Sequence, residues 1–129
     1  MTTLRHLAAD ILGGAGWNLP PLPLTWSTRM VRCAGLFVIE RDARGRWHPE
    51  IRLSVPLLRR ADHAWPVQAC GLLCEDGPSL TRRILEHELV HYKLWVDGEK
   101  NWGHSPKFRA LAREAFGHRT ITHGIGLGG

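Results

Sequence analysis

Near the start of the chain, apolar residues recur at the spacing of one helical face. Counting from Leu4, they fall at i, i+3, i+4, i+7 and i+8 and end at Leu12, which places them on one side of an α-helix. Thr3 is a favourable N-cap and Gly13-Gly14 favours termination. The pattern predicts a helix over residues 3–13, followed by a connector rich in glycine and proline over 14–25.

The pattern then changes to the alternation that is typical of strands. Over 28–40, one face carries the odd-numbered apolar residues from Val31 to Ile39, and Leu36 and Val38 make the other face apolar as well. We therefore expect a strand that is covered on both faces. Over 46–55, apolar and polar residues alternate strictly, which predicts a half-exposed strand. The four residues 42–45 have turn chemistry, so a β-hairpin is expected.

The second half of the chain predicts mainly helices. Segment 56–79 gives weaker signals, with a helical turn expected over Leu57–Asp62 and a third strand over Val67–Leu73. Two helices follow, over 80–95 with Ser79 as the cap and over 105–116 after the start signal Ser105-Pro106. We predict a single domain, residues 1–129, with a small sheet of about three strands packed on helices. Its N-terminal helix lies within 1–13 and a flexible tail covers 118–129.

Composition supports an ordinary folded protein. The chain has 129 residues, of which 43% are hydrophobic, enough for one domain with its own core. The three cysteines, Cys33, Cys70 and Cys74, are too few for a disulfide framework. Cys70 and Cys74 could be half of a metal site, but the second pair that a zinc ribbon needs is missing, so we expect these two to be small buried fillers. No signal-peptide pattern and no membrane-length apolar run is present. We expect a cytoplasmic monomer without membrane contact.

The segment His87-Glu88-Leu89-Val90-His91 carries the chemistry. Residues four apart on a helix face the same way, so two imidazoles at this spacing can bind one Zn²⁺. Glu88 lies about 100° round the helix from His87. There it is beside the metal and can act as the general base that takes a proton from the attacking water.

A catalytic zinc site needs a third protein ligand. His104 is the first choice, because a turn at Asp97-Gly98 would bring the residue before the Ser105-Pro106 helix start back beside the first helix. Glu99, in the connecting loop, and Glu114, off the apolar face of helix 105–116, are weaker alternatives. The metzincin pattern is excluded, because Leu94 and Asp97 stand where it requires glycine and histidine.

At these residues the chain resembles the SprT-like zinc metallopeptidases, which include the Spartan-type DNA–protein crosslink proteases. That family carries H-E-x-x-H followed by G-H-x-x-x-F, and the second motif corresponds here to Gly103-His104-Ser105-Pro106-Lys107-Phe108. Arg29 to Gly35 and Ile51 to Ser54 are similar to its first two strands. The likeness covers roughly residues 20–117.

The resemblance implies a zincin-like α+β metallopeptidase core. It implies His87, His91 and His104 as Zn²⁺ ligands and Glu88 as general base in a zinc metalloendopeptidase. A donor for the oxyanion is also needed, and the candidates are Tyr92, His118 and His123. A protein substrate could add along an exposed strand edge.

The charge is concentrated in one part of the chain. The formal net charge is +5, and Arg29 to Arg60 hold eight arginines against three acidic residues, which accounts for the whole excess. A localised basic surface is typical of nucleic-acid contact, so we expect DNA as a partner. Association with the nucleoid is compatible with the expected cytoplasmic location. The candidate contacts are Arg29, Arg32, Arg41, Arg44, Arg46, Arg52, Arg59 and Arg60.

The first hypothesis is therefore a zinc endopeptidase that acts on proteins bound or crosslinked to DNA. A zinc-stabilised module that binds DNA or protein without cleaving it is the first alternative. A regulator protease with one specific protein target is the second. Glu88 favours an enzyme, because a purely structural zinc site has no use for a base beside the metal.

Overall fold

Four helices and two small sheets form the described part of the chain, so the α+β class is confirmed. The computed structural model describes residues 3–121. Its elements in chain order are α1 (Leu4–Ala15), β1 (Leu24–Ser27), β2 (Gly35–Arg41), β3 (Trp47–Ser54), α2 (Val55–Ala61), β4 (Val67–Ala69), β5 (Leu72–Cys74), α3 (Gly77–Val96) and α4 (Pro106–Phe116).

The first helix extends two residues beyond its predicted end. Thr3 is the N-cap, and its side chain accepts a hydrogen bond from the backbone N–H of His6. The helix continues through both glycines of the pair at 13–14 and is closed by Gly16, whose φ of 72° is left-handed. A residue without a Cβ adopts that conformation at low cost. The true stop signal was therefore the third glycine.

The three-stranded sheet has the order β1-β3-β2, with β3 in the centre. The predicted hairpin is present, since β2 and β3 pair antiparallel with Gly35 opposite Leu53. The parallel strand β1 was missed, because it lies across the end of the predicted connector and pairs with a strand about 27 residues away, Leu24 opposite Ile51.

Strand β2 is shorter and more exposed than predicted. Residues 28–34 are not a strand; the backbone N–H groups of Arg29 and Met30 donate instead to the side chain of Ser27. The face with Gly35 and Phe37 is buried, as expected. The opposite face is not fully covered, because Leu36 is 40% exposed.

Two short elements replace the ambiguous signals of 56–79. Helix α2 follows β3 directly, because the buried Ser54 accepts from the N–H of Leu57 and donates to the carbonyl of Met30. The single strand predicted over 67–73 is a hairpin, in which β4 and β5 pair around Cys70-Gly71. Both turn residues have positive φ, 55° and 75°, as required by a two-residue hairpin turn that follows the twist of its strands.

Helix α3 lies at the centre of the domain. It begins at Gly77, three residues earlier than predicted, because Asp76 is the N-cap and Ser79 completes a capping box with it. Every residue from Ile84 to Tyr92 is buried. One side packs on α1, α2 and both sheets, and the other packs on α4 through Val90, Leu94, Phe108 and Ala112.

Helix α4 has the predicted caps, with Ser105 before it and Gly117, at φ 70°, after it. Burial of each large apolar side chain along α3 and α4 contributes roughly 1.5–3 kcal/mol, which offsets the cost of the polar groups that α3 carries into the core. Among the described helices, none combines the length and apolar character that crossing a bilayer requires.

Candidate metal centre

Three histidines converge at the junction of α3 and α4. His87 and His91 lie one turn apart on α3, and His104 lies in the loop that precedes α4. The chain reverses after α3 at Gly98, with φ 81°. One ring nitrogen from each histidine lies within 4.8 Å of the other two, and the Nε2 atoms of His87 and His104 are 3.0 Å apart. The predicted turn therefore brings the three predicted ligands together.

A backbone carbonyl orients one of these rings. Nδ1 of His91 lies 2.6 Å from the carbonyl oxygen of Trp102. A carbonyl accepts only, so Nδ1 carries the proton and Nε2 keeps its lone pair. Histidines that bind metals usually have this kind of outer partner, which fixes the tautomer and the ring plane.

The ring of Phe108 supports all three histidines. Its centroid lies 4.9, 4.4 and 5.0 Å from those of His87, His91 and His104. Phe108 is fully buried and lies in the first turn of α4, so the packing of α4 on α3 also sets the positions of the imidazoles.

The cluster opens to solvent on one side. His87 is fully buried, His91 is 9% exposed and His104 is exposed. His104 also lines a surface pocket of about 350 Å³ together with Arg109 and Arg113 of α4. A small molecule or a peptide group could therefore approach the histidines from the His104 side.

The donor set fits a metal ion. Three imidazoles whose ligand atoms lie this close suit Zn²⁺ and related transition metals. The three histidines are able to hold an ion, and the exposed His104 lies at the opening to solvent.

Glu88 is buried against β2. It is 2% exposed, and burial raises the pKa of its carboxyl to about 8, although a hydrogen bond from the backbone N–H of Phe37 opposes the rise. Strand β2 approaches this carboxyl closely, because a Cβ on Gly35 would lie 2.9 Å from Oε2 of Glu88. The carboxyl is therefore held between the metal-motif helix and the sheet.

The weaker candidates for the third ligand lie elsewhere. Glu99 forms an ion pair with Lys107, and Glu114 is exposed on α4. Within residues 3–121, neither belongs to a group of converging metal-ligand atoms. This leaves His104 as the residue that α3 and the following loop bring to the pair on the helix.

The three candidate oxyanion donors have different surroundings. The hydroxyl of Tyr92 donates to the carbonyl of Pro20 at 2.6 Å. His118 is 3% exposed, and its Nε2 lies 2.9 Å from a carboxylate oxygen of Glu86. His123 lies outside the described residues. Tyr92 and His118 thus each make a hydrogen bond that ties α3 to another segment of the chain.

The arginines of the basic segment lie before β2, in and beside the β2–β3 hairpin, and on α2. Seven of the eight are exposed, and the eighth, Arg52, is half-buried and forms ion pairs with Glu40 and Glu50. Arg41 lies over the ring of Trp47, with its guanidinium carbon 5.5 Å from the centroid, and Trp47 is 54% exposed. The positive charge is thus accessible, and at the hairpin tip it is accompanied by an exposed aromatic ring.

Four residues that shape this centre had no role assigned from the sequence, although Phe108 is the last residue of the G-H-x-x-x-F segment. They are Phe37, whose N–H contacts Glu88, Trp102, whose carbonyl orients His91, Phe108, which supports the rings, and Cys70, which lies behind His87. Two of them act through backbone atoms, which leave no residue-type signal. For Phe108, the conspicuous signal was its place four residues after His104.

No protein-family model and no curated protein matches this chain. The function is therefore inferred from the geometry of the site and from the motifs.

Proposed function

We propose that this protein is a zinc-dependent endopeptidase that resembles the SprT-like proteases and acts on proteins bound or crosslinked to DNA. The observation that carries the proposal is the convergence of three histidine ligand atoms within 4.8 Å, two of them on the helix that also holds the buried Glu88 and one in the loop before α4. The arrangement would correspond to a zincin-like core, built on α3.

His87, His91 and His104 would hold the zinc ion. Two of them come from one helix face and the third, the exposed His104, comes from the following loop, so a bound ion would be reached from the His104 side. When bound, zinc supplies Lewis acidity, which makes a water molecule reactive near neutral pH and polarises a carbonyl group.

Glu88 would act as the proton carrier. A carboxylate in an apolar environment holds a proton more strongly than one in water, and the pKa of Glu88 is raised in that direction. Glu88 would accept the proton of the attacking water and deliver it to the leaving amine. The N–H of Phe37 and the close approach of Gly35 keep the carboxyl in one place.

The outer edge of β2 would bind the substrate chain. β2 lies at one side of the sheet. The N–H of Ser54 donates to the carbonyl of Ala34 across the ladder, so the pairing register turns the polar backbone groups of alternate residues away from β3. Among these groups, the N–H of Phe37 already donates to Glu88. An extended peptide added along this edge would pass beside Glu88.

The basic surface supports DNA as the second partner. The exposed arginines lie before β2, at the tip of the β2–β3 hairpin and on α2, and none of them is on the metal-motif helix. The Arg41–Trp47 pair at the hairpin tip offers both charge and a stacking surface to a nucleic acid strand. About six residues of strand, or roughly 20 Å, separate the hairpin tip from Gly35. DNA bound at the tip could therefore carry a protein that reaches the histidines.

The variant Glu88→Gln tests the catalytic proposal. We expect zinc content to be unchanged and cleavage of a DNA-bound protein to fall by at least about 100-fold, because removal of a general base costs two to four orders of magnitude. Metal analysis and a gel-based cleavage assay measure both. Glu75→Gln, an exposed glutamate before α3, is the matched control and should cleave normally.

The same assays separate the alternatives. Unchanged cleavage by Glu88→Gln would contradict the mechanism. Zinc binding without cleavage by the unmodified protein would favour the zinc-stabilised binding module, and cleavage of one free protein without any effect of DNA would favour the regulator protease.

A further inference from the structure

The side of His87 that faces away from the other two histidines is occupied by a cysteine. Nδ1 of His87 lies 4.0 Å from Sγ of Cys70, and both residues are almost fully buried. Nε2 of the same ring faces Nε2 of His104. Cys70 and the metal site thus lie on opposite edges of one imidazole.

The hydrogen bonds assign the direction of this contact. The thiol of Cys70 donates to the backbone carbonyl of Arg83 at 3.7 Å, one helical turn before His87. With its proton used there, the sulfur can act towards His87 only as an acceptor, and Nδ1 must be the donor. This is the tautomer in which Nε2 has a lone pair for a metal.

The backbone conformation of Cys70 is strained. Cys70 is the only non-glycine residue with positive φ within residues 3–121, at a turn position where asparagine or glycine is usual. Its carbonyl accepts from the N–H groups of Arg119 and Thr120 at 3.0 and 3.3 Å. A strained non-glycine residue that neighbouring segments hold in place is typical of functional sites.

We infer that Cys70 is a positioning residue for His87: its sulfur accepts the Nδ1 proton and so holds Nε2 towards the metal. The inference rests on the metal site of the proposed function, and it gives His87 an outer partner as the Trp102 carbonyl does for His91. The competing role is direct metal binding, because Cys70, His87 and His118 also offer ligand atoms within 4.8 Å of one another.

Zinc affinity, measured by competition with a chelator, tests the inference. Cys70→Ala should weaken zinc binding by about 10–100-fold, the usual effect of losing an outer partner. Cys70→Ser retains a donor and an acceptor and should recover most of the loss. Cys74→Ala removes the other buried thiol of the same hairpin and should bind zinc normally.

Two spectroscopic measurements exclude a merely structural effect. In ¹⁵N-edited NMR spectra of the metal-free protein, His87 should be the Nδ1–H tautomer, and Cys70→Ala should change its tautomer ratio while Cys74→Ala does not. The cobalt-substituted protein should lack a thiolate-to-metal charge-transfer band.

Equal zinc affinity in the two alanine variants, or an unchanged tautomer ratio in Cys70→Ala, would overturn the inference. A thiolate band lost in Cys70→Ala would overturn it in favour of metal binding by the sulfur. Failure to bind zinc at all would overturn this inference together with the proposed site. If affinity depends on Cys70 but no protein is cleaved, the inference holds and the proposed peptidase function fails.

Discussion

A Cβ added to Gly35 would lie 2.9 Å from Oε2 of Glu88 and 2.7 Å from Cγ2 of Ile84. Strand β2 and helix α3 therefore touch at a point that admits no side chain. This contact explains why a glycine stands in an otherwise apolar strand face, and it couples the position of the sheet to the carboxyl that we propose as the base.

Gly35→Ala should consequently displace Glu88. We expect a loss of about 1–3 kcal/mol in the free energy of unfolding, as for other insertions into a packed core, and a larger loss of cleavage than of zinc affinity. Denaturant unfolding and the two activity assays measure this. Gly14→Ala, at a helical glycine with no atom within 4 Å of the added Cβ, should be about 0.5–1 kcal/mol more stable than the natural protein. Normal cleavage by Gly35→Ala would show that the close contact does not position the base.

His104→Ala should lose most of the bound zinc but keep the fold, because His104 is exposed and lies outside the helices. Zinc at a hundredfold excess over its dissociation constant should stabilise the unmodified protein by about 2.7 kcal/mol. The same concentration should hardly stabilise His104→Ala. Thermal unfolding with and without chelator provides the measurement, and His63→Ala, at another exposed histidine, should behave like the unmodified protein. Full zinc content in His104→Ala would place the third ligand elsewhere.

Phe108 variants should separate stability from ligand geometry. Phe108→Ala leaves a cavity between α3 and α4 and should cost about 3–5 kcal/mol. Phe108→Leu should cost less, yet it also removes the ring that contacts all three histidines, so zinc affinity should fall in both. Phe116→Leu is the control, since that ring packs on Trp17 at the far end of α4. Zinc affinity that simply follows stability across the three variants would argue against a specific role for the Phe108 ring.

DNA affinity should depend on salt through the basic surface. Replacing both Arg59 and Arg60 with Gln should reduce the slope of log K against log salt by about 1.4–1.8, because two charges that neutralise phosphates are removed. The effect should not depend on DNA sequence. Fluorescence anisotropy at several salt concentrations measures it. Arg5→Gln combined with Lys100→Gln removes the same charge outside the segment Arg29 to Arg60 and is the control. An equal effect of this pair would mean that DNA affinity depends on the total net charge of the protein and not on this segment.

Much of the fold was predictable where local signals agree. Helices α1 and α4 and the β2–β3 hairpin have their own caps, turn residues and periodicity, so short-range physics specifies them. Strand β1 has only four residues and derives its stability from β3. Parallel strands are not joined by a short turn that the sequence could reveal. For this reason the sequence pattern predicted a connector where β1 lies.

The site divides in the same way. The residue types and the four-residue spacing of His87 and His91 determine by themselves that two imidazoles and a carboxylate share one helix. The chain reversal at Gly98 and the packing of Phe108 decide that His104 reaches them. The partners that orient them, the carbonyl of Trp102 and the sulfur of Cys70, come from other segments. Backbone atoms and small buried residues carry no periodic signal, so only the tertiary structure could bring them to the site.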